Sequence, residues 1–287
     1  MEGADDAHAT GTVTGHGGSQ ADSWIHREPR ISVIIPALNE ARNLPHVFAE
    51  LPADLHEVIL VDGGSIDGTV AVARRLRKDV RIVQQTRRGK GDALRCGFEA
   101  ATGEVLVMLD ADGSADPAEI PEFIAALVGG SDFAKGSRFR KGGGSSDITR
   151  LRRIGNWALS TSVNFLFRTS YSDLCYGYNA FWRHCLESMQ VDCTGFEVET
   201  LINIRVARAG LTVTEVPSYE RARIHGQSNL NTFRDGARVL RTIARERLRR
   251  ARRRDVASEL DRLAASLTGG RELTPSLQAV SDQAPSA

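Results

Sequence analysis

The sequence predicts an α/β protein with a mostly parallel, doubly wound sheet flanked by helices, and three observations carry that expectation. Short, continuous apolar runs recur (Ile31 to Ile35, then VILV, then VLVM), the pattern of strands covered on both faces. Between them lie stretches of about ten residues with helical character, the alternation that builds βαβ units. Each run breaks into Pro, Gly or carboxylates, which puts polar groups at the carboxyl ends of strands, where open α/β sheets hold ligands.

In chain order, residues 1–29 have few apolar anchors and read as a disordered leader. The first strand is ISVII, stopped by Pro36, and a helix is expected over 41–51. HEVILVDGGSIDGT is a second strand that ends at Asp62 in a Gly-rich turn, and Thr69 starts the next helix. VRIVQQ is a third strand, GDALRCGFEAA a helix, and EVLVMLDAD a fourth strand. PAEIPEFIAALVGG is a helix closed by two glycines, and SDFAKGSRF is a further strand. RKGGGSSD (140–147) has the composition of a flexible, lid-like loop, and residues 148–168 are amphipathic. DLCYGYNAFWR receives no element, 196–209 is a helix and LTVTEVPS a strand. A very basic helix spans about 231–254, overlapping a basic, amphipathic C-terminal region at 233–267, and 268–287 is a low-complexity tail.

Composition narrows the function classes. A length of 287 residues fits one large domain with appended tails, and a net charge of +1 gives no global attraction to nucleic acid or membranes. No run of about 18 apolar residues exists, so no bilayer-spanning helix is expected. Cys96, Cys175, Cys185 and Cys193 show no C-x-x-C spacing, which together with the lack of a signal peptide predicts a reduced, cytoplasmic chain. DGGSIDG lacks G-x-G-x-x-G, and no G-x-x-x-x-G-K-[ST] is present, which disfavours dinucleotide and P-loop readings.

The chemistry concentrates in VLVMLDADGSADP (105–117). Asp110 and Asp112 lie two apart at the end of an extended segment, so both carboxylates can face one side. Two hard oxygen donors are too few for a calcium cage but suit Mg²⁺ or Mn²⁺ completed by water and diphosphate oxygens. Such a cation would stabilise a departing diphosphate. D-x-D alone is equally a capped turn; the acidic strand-ends at Pro36–Glu40 and Asp62–Asp67 tip the reading toward a site.

SVIIPALNE, VILVDGGSIDGT, RGKGDALRCGFEAATGEVLVMLDADGSADPAEIP and KGSRF, in this order, resemble the inverting GT-A glycosyltransferases of family 2. The resemblance covers about residues 30–232 and is strongest to the dolichol-phosphate mannose synthase group, including polyprenyl-phosphate glycosyltransferases. It implies a GT-A domain with a nucleotide-binding half at 30–115 and an acceptor half at 116–232. Pro36, Asn39 and Glu40 match a loop around base and ribose, and Asp62, Gly64 and Asp67 match the turn near the base. Lys90, Gly91 and Asp92 match a segment that approaches the nucleotide. Asp110, Ala111 and Asp112 span the nucleotide- and metal-binding motif; Gly113 and Ser114 stand where a third ligand is common.

On the acceptor side, Arg138 and Arg152 or Arg153 occupy places where the resembling group binds a phosphate, for which a guanidinium fork is suited. A phosphate acceptor is already ionised and needs no base. An alcohol needs one, and Asp173 is preferred over Glu197 and Glu199. RIHGQSNLN resembles an R-x-x-G-x-S-K segment of the polyprenyl-phosphate enzymes, with Asn229 in place of Lys. The implied reaction is an inverting, metal-dependent hexosyl transfer from a GDP- or UDP-hexose (GDP-mannose or UDP-glucose type) to polyprenyl phosphate. The alternative is a soluble enzyme acting on a hydroxyl of a small molecule or glycan. A sugar-phosphate nucleotidyltransferase is disfavoured because PALNEARN is not a Gly-rich loop, and a non-catalytic nucleotide-binding module stays open. The basic helix at 234–254 sets Val239, Leu240, Ile243 and Leu248 among ten arginines, a composition suited to an anionic membrane surface at the inner face of the cell. It lacks the aromatics of a nucleic-acid binder, so no nucleic-acid partner is expected.

Overall fold

A computed structural model describes residues 28–227 and 231–249. Expectations for the leader before residue 28, for Ser228 and Asn229, and for everything after 249 lie outside these residues. One seven-stranded sheet dominates: β1 (Ile31–Ala37), β2 (Glu57–Asp62), β3 (Arg81–Gln84), β4 (Val105–Met108), β5 (Phe133–Ser137), β7 (Asn179–Trp182) and β8 (Val213–Pro217). Its order is β3-β2-β1-β4-β7-β5-β8, and a second sheet pairs β6 (Gly144–Ser145) with β9 (Tyr219–Glu220). The first four positions are parallel, while β7 runs antiparallel to both neighbours, β4 and β5. The sheet is therefore mostly parallel, as the apolar runs predict, with one reversed strand in the unassigned DLCYGYNAFWR segment.

The apolar runs of β1, β2 and β4 are buried along their length because helices cover both faces. One layer of core holds Val33, Ile35, Leu60, Val107 and Phe123; the other holds Ile34, Ile59, Leu106, Phe181 and Leu201. The covering helices are α1 (Leu44–Ala49), α2 (Thr69–Leu76), α3 (Lys90–Ala100), α4 (Ile120–Val128), α5 (Arg150–Phe167), α6 (Cys185–Met189) and α7 (Val198–Arg208). Residues 232–249 form a further helix, α8. All four cysteines are free.

Three expectations change. The loop at 140–147 is not featureless: Gly144–Ser145 pairs with β9, and Ser145 Oγ donates to Glu220 at 2.5 Å. The fourth strand stops at Met108, so Asp110 and Asp112 leave from a turn rather than from extended chain. The apolar stripe of α8 does not all face outward: Val239 and Ile243 are buried against Val163, Phe167 and Ile204, while Leu240 and Leu248 stay exposed. Periodicity marks such a stripe but not the surface that covers it. Here the docking is reinforced by Glu246, which pairs with Arg205 at 2.9 Å and Arg208 at 2.6 Å on α7.

Candidate active site

The carboxyl ends of β1, β2 and β4 open into a single cavity of about 1250 Å³ that continues between α5 and α8. Of the residues singled out from sequence, Pro36, Glu40, Gly64, Lys90, Asp110, Ala111, Asp112, Arg138 and Arg152 line it. Asn39, Asp62, Asp67, Gly91, Asp92, Arg153 and Asp173 do not, and the bonds of most of them show what they do instead.

The acidic residues of the turns hold the loops that shape the cavity. Asp62 accepts from the Gly64 and Ser65 amides at 3.1 and 3.2 Å. Asp67 accepts from the Ala41 and Thr69 amides, both at 3.0 Å, which ties the first loop to the second. Asn39, with φ of 58°, accepts from the Ile66 amide at 2.9 Å across the same junction. Asp92 is fully buried and accepts from the Thr86 amide at 3.0 Å and Arg95 at 2.9 Å. Burial pushes its carboxyl up, but the Arg87 amide, Arg95 and Thr86 outweigh that and hold it at about 2.

Lys90 opens α3, and its ammonium bridges Asp110 at 2.7 Å and Glu199, on α7, at 2.8 Å. Burial alone would lower the Lys90 pKa, but the two carboxylates overcome it and hold the group above its ordinary value. Glu199 moves the other way from a typical paired acid: burial raises it, and a lysine shared with Asp110 only partly offsets that. Gly177 roofs this triad; a Cβ there would lie 2.8 Å from Lys90 Nζ and 3.1 Å from Glu199 Oε1. Gly89 brings Lys90 into place, since its φ of 107° and the Thr194 carbonyl that any Cβ would strike admit no side chain.

Asp112 accepts from the Ser114 amide at 2.9 Å and pairs with Arg223 at 2.9 Å. Arg223 also pairs with Glu40 at 2.9 Å. It belongs to a strap, residues 221–226, fixed over the strand ends by the Arg221 amide to the Ser114 carbonyl (2.7 Å) and the His225 amide to Asn43 (2.9 Å). Gly113 is required here: its φ is +76°, and Ile224 of the strap would lie 2.6 Å from a Cβ. The missing acidic side chain at 113 thus makes room for the strap.

Arg138 and Asp173, expected on the acceptor half, are bonded to each other. Arg138 Nε and Nη2 donate to Asp173 at 2.7 and 3.0 Å, and Nη1 donates to Glu220 at 3.0 Å. Asp173 is fully buried; burial would raise its carboxyl, but Arg138, with help from Lys135, holds it below the ordinary range. Lys135 beneath it is also fully buried, and burial lowers its pKa. Arg152 lines the cavity and pairs with Asp147 at 3.1 Å, whereas Arg153 lies over the Phe139 ring at 5.8 Å. One turn on, Asn156 is 4% exposed; its Oδ1 accepts from the Leu174 and Cys175 amides at 3.2 and 3.1 Å, and its Nδ2 has no partner. Asn156, Gly177 and Arg223 were not legible as site residues; only the RIHG segment around Arg223 carried a signal.

Every carboxylate that lines the cavity is ion-paired. Besides the pairs above, Asp235 meets Arg238 at 3.4 Å. The lining cations Lys90, Arg138, Arg152 and Arg223 are the partners in these pairs, so among the described residues the polar groups of the lining left without an ion pair or partner include Arg88 and Asn156 Nδ2 but no carboxylate.

Comparison with known proteins agrees with this architecture. The family model described as glycosyl transferase family 2 matches residues 32–189. Glycosyltransferase AglJ of Haloferax volcanii is 30% identical over 223 residues, 75% of this chain and 71% of that protein. The polyprenol monophosphomannose synthase of Mycolicibacterium smegmatis is 32% identical over 214 residues, 70% and 81%. The dolichol-phosphate mannosyltransferase of Pyrococcus furiosus is 32% identical over 210 residues, of which the match spans 59% of its length. Among solved structures, glucosyl-3-phosphoglycerate synthase from Mycobacterium tuberculosis superposes with a TM-score of 0.60 at 24% identity, over 82% of this chain and 86% of that one.

Proposed function

We propose that this chain, which belongs to glycosyltransferase family 2, transfers a hexose from a nucleoside diphosphate sugar to the phosphate of a polyprenyl phosphate, with inversion. One observation carries the acceptor class: among the described residues every carboxylate lining the cavity is already engaged by a cation of the chain and so is not free to act as a base, while the buried Asn156 Nδ2 on the same wall has no partner. A phosphate monoester arrives ionised and asks only for positioning and charge neutralisation, which cations and amides supply.

In this reading the nucleotide lies across Pro36, Gly64 and Arg88, and Lys90 holds its proton beside the diphosphate. An acceptor oxygen attacks the anomeric carbon opposite the diphosphate; the bond to the β-phosphate oxygen breaks, and the nucleoside diphosphate leaves. Asp110 and Asp112 fit a divalent cation by donor chemistry. They are two hard carboxylates at the cavity wall, and among the described residues no third His, Cys, Asp or Glu completes a cage, so diphosphate and water oxygens would fill the set, as Mg²⁺ and Mn²⁺ prefer. Bound there, such a cation supplies charge stabilisation of the leaving diphosphate. The solved structures of the mycobacterial synthase with Mn²⁺ or Mg²⁺ and UDP support that choice. Arg138 and Asp173 position the floor beneath the acceptor rather than exchange protons.

A second reading, transfer to a hydroxyl, has one observation in its favour: Glu199 lines the cavity, and burial raises its carboxyl toward the range of a base. A panel of GDP- and UDP-hexoses with Mg²⁺ or Mn²⁺, offered short-chain prenyl phosphate or the matching prenol, separates the two. Nucleoside diphosphate release with the phosphate alone is expected. Release with the alcohol transfers the assignment to the second reading, and release with neither defeats both.

A further inference from the structure

Helix α5 forms one wall of the cavity and turns its other side outward. On that side Leu151, Ile154, Trp157 and Phe165 are 55%, 62%, 68% and 84% exposed. At about 100° per residue these four, with Ala158 and Thr161 between them, fall within roughly 120° of the helix surface. Isolated exposed apolar side chains need no explanation, but four large ones on one stripe do. The stripe adjoins the cavity, because Gly155, Ala158 and Leu159 of the same helix line it. Across the cavity, α8 presents Phe233 and Leu240, 80% and 56% exposed.

The charges on the helix itself share one sign, and the acid nearest in sequence, Asp147, is taken up by Arg152. Within 150–168 there are four arginines and no Asp or Glu. Arg150, Arg153 and Arg168 are exposed and form no ion pair among the described residues. A two-fold contact with a second copy would set these cations against their own images, which costs energy. An apolar stripe rimmed by unpaired cations instead complements a surface that is apolar inside and anionic outside.

We propose that the outer face of α5, joined by the exposed rim of α8, docks on an anionic lipid bilayer with the cavity mouth toward it. Among the described residues no helix is long and apolar enough to cross a membrane, so this contact is a surface one. It sets the membrane contact on α5 with the exposed rim of α8, where the sequence alone pointed to the basic stretch at 234–254, and it rests for its purpose on the polyprenyl-phosphate reading, whose acceptor lies in a bilayer.

The full chain is floated with phosphatidylcholine vesicles, with or without phosphatidylglycerol. Wild type should bind the anionic vesicles and shift Trp157 emission to the blue; Trp157→Phe should lose that shift. The triple variant Ile154→Ser, Trp157→Ser, Phe165→Ser should lose binding by about tenfold or more. Leu76→Ser, on α2, should not. Arg150→Glu with Arg168→Glu should weaken binding to anionic vesicles only. With a water-soluble short-chain prenyl phosphate the triple variant should match wild type, and only turnover on vesicle-embedded acceptor should fall. No binding by wild type, or undiminished binding by a triple variant with a wild-type melting curve, overturns the assignment. So does a dimer in sedimentation that the triple variant abolishes, which gives the face to a second copy. Vesicle binding without transfer to any prenyl phosphate leaves this surface standing and removes the acceptor reading.

Discussion

Replacing Asp173 by Asn separates a positioning role from a proton-accepting one. The wild-type carboxylate is fully buried and takes two guanidinium bonds, at 2.7 and 3.0 Å, plus the Arg138 amide at 3.2 Å. Asn keeps the shape but turns an amide NH₂ toward a guanidinium, donor against donor. Breaking a buried pair costs about 3–5 kcal/mol. Glu220 still balances Arg138 at 3.0 Å, so the low end, about 3 kcal/mol, is expected. For a body of this size that lowers Tm by roughly 6–12 °C. The sign with pH follows from the folded carboxyl lying below its ordinary range. Its stabilisation is fully present above the unfolded value of about 3.9 and is lost as pH falls through the folded one. The gap between wild type and variant, measured by urea unfolding at unchanged m-value, should be full at neutral pH and shrink once the pH drops below about 4. Turnover on a phosphate acceptor, assayed below the variant's Tm, should persist. A variant as stable as wild type that has lost turnover would show that Asp173 is the base.

Two further substitutions probe the proposed donor side. Lys90→Met strands Asp110 and Glu199 without their shared cation, and kcat/KM for donor should fall at least about 100-fold, read by nucleoside diphosphate release. Gly177→Ala places a methyl 2.8 Å from Lys90 Nζ. Turnover should drop about tenfold while urea unfolding changes by less than about 1 kcal/mol, because the ammonium is the far end of a flexible chain and can shift.

The parallel half of the fold was readable because its strands are buried on both faces, so ISVIIPA, EVILVD and VLVM announce themselves as unbroken apolar runs. The reversed strand Asn179–Trp182 was not, since four residues, Asn, Ala, Phe and Trp, carry neither a long run nor an alternation. Its place between β4 and β5 comes from pairing on both edges, which is tertiary information. The same divide runs through the site. Asp110, Asp112 and Lys90 stand beside glycines and strand ends and were legible as a group. The partners that set their charge state, Glu199 and Arg223, lie more than a hundred residues away in sequence from Lys90 and Asp112. Arg138 and Asp173 each carry a local signal, but 35 residues separate them, and nothing in local sequence says that a guanidinium and a carboxylate satisfy one another. In α8, periodicity found the apolar stripe but not that α5 and α7 cover half of it.

These long-range pairs bear on how the proposed donor is received. Asp110 and Asp112 are each held against a cation of the chain, Lys90 and Arg223, in a wall where unpaired charge would be costly. A divalent cation and a diphosphate nearly cancel one another, so their arrival together leaves the net charge of the wall almost unchanged. Lys90 and Arg223 then need only exchange a carboxylate oxygen for a phosphate oxygen. Glu199 keeps one hold on Lys90 and Glu40 one hold on Arg223 throughout the exchange. A diphosphate without its cation would bring at least two negative charges to a wall whose carboxylates already occupy Lys90 and Arg223, and the binding of nucleoside diphosphate should therefore depend steeply on divalent metal even where no transfer occurs. Titration calorimetry of the nucleoside diphosphate with and without Mg²⁺ reads this directly, and equal affinities would mean that Lys90 and Arg223 alone can carry the diphosphate.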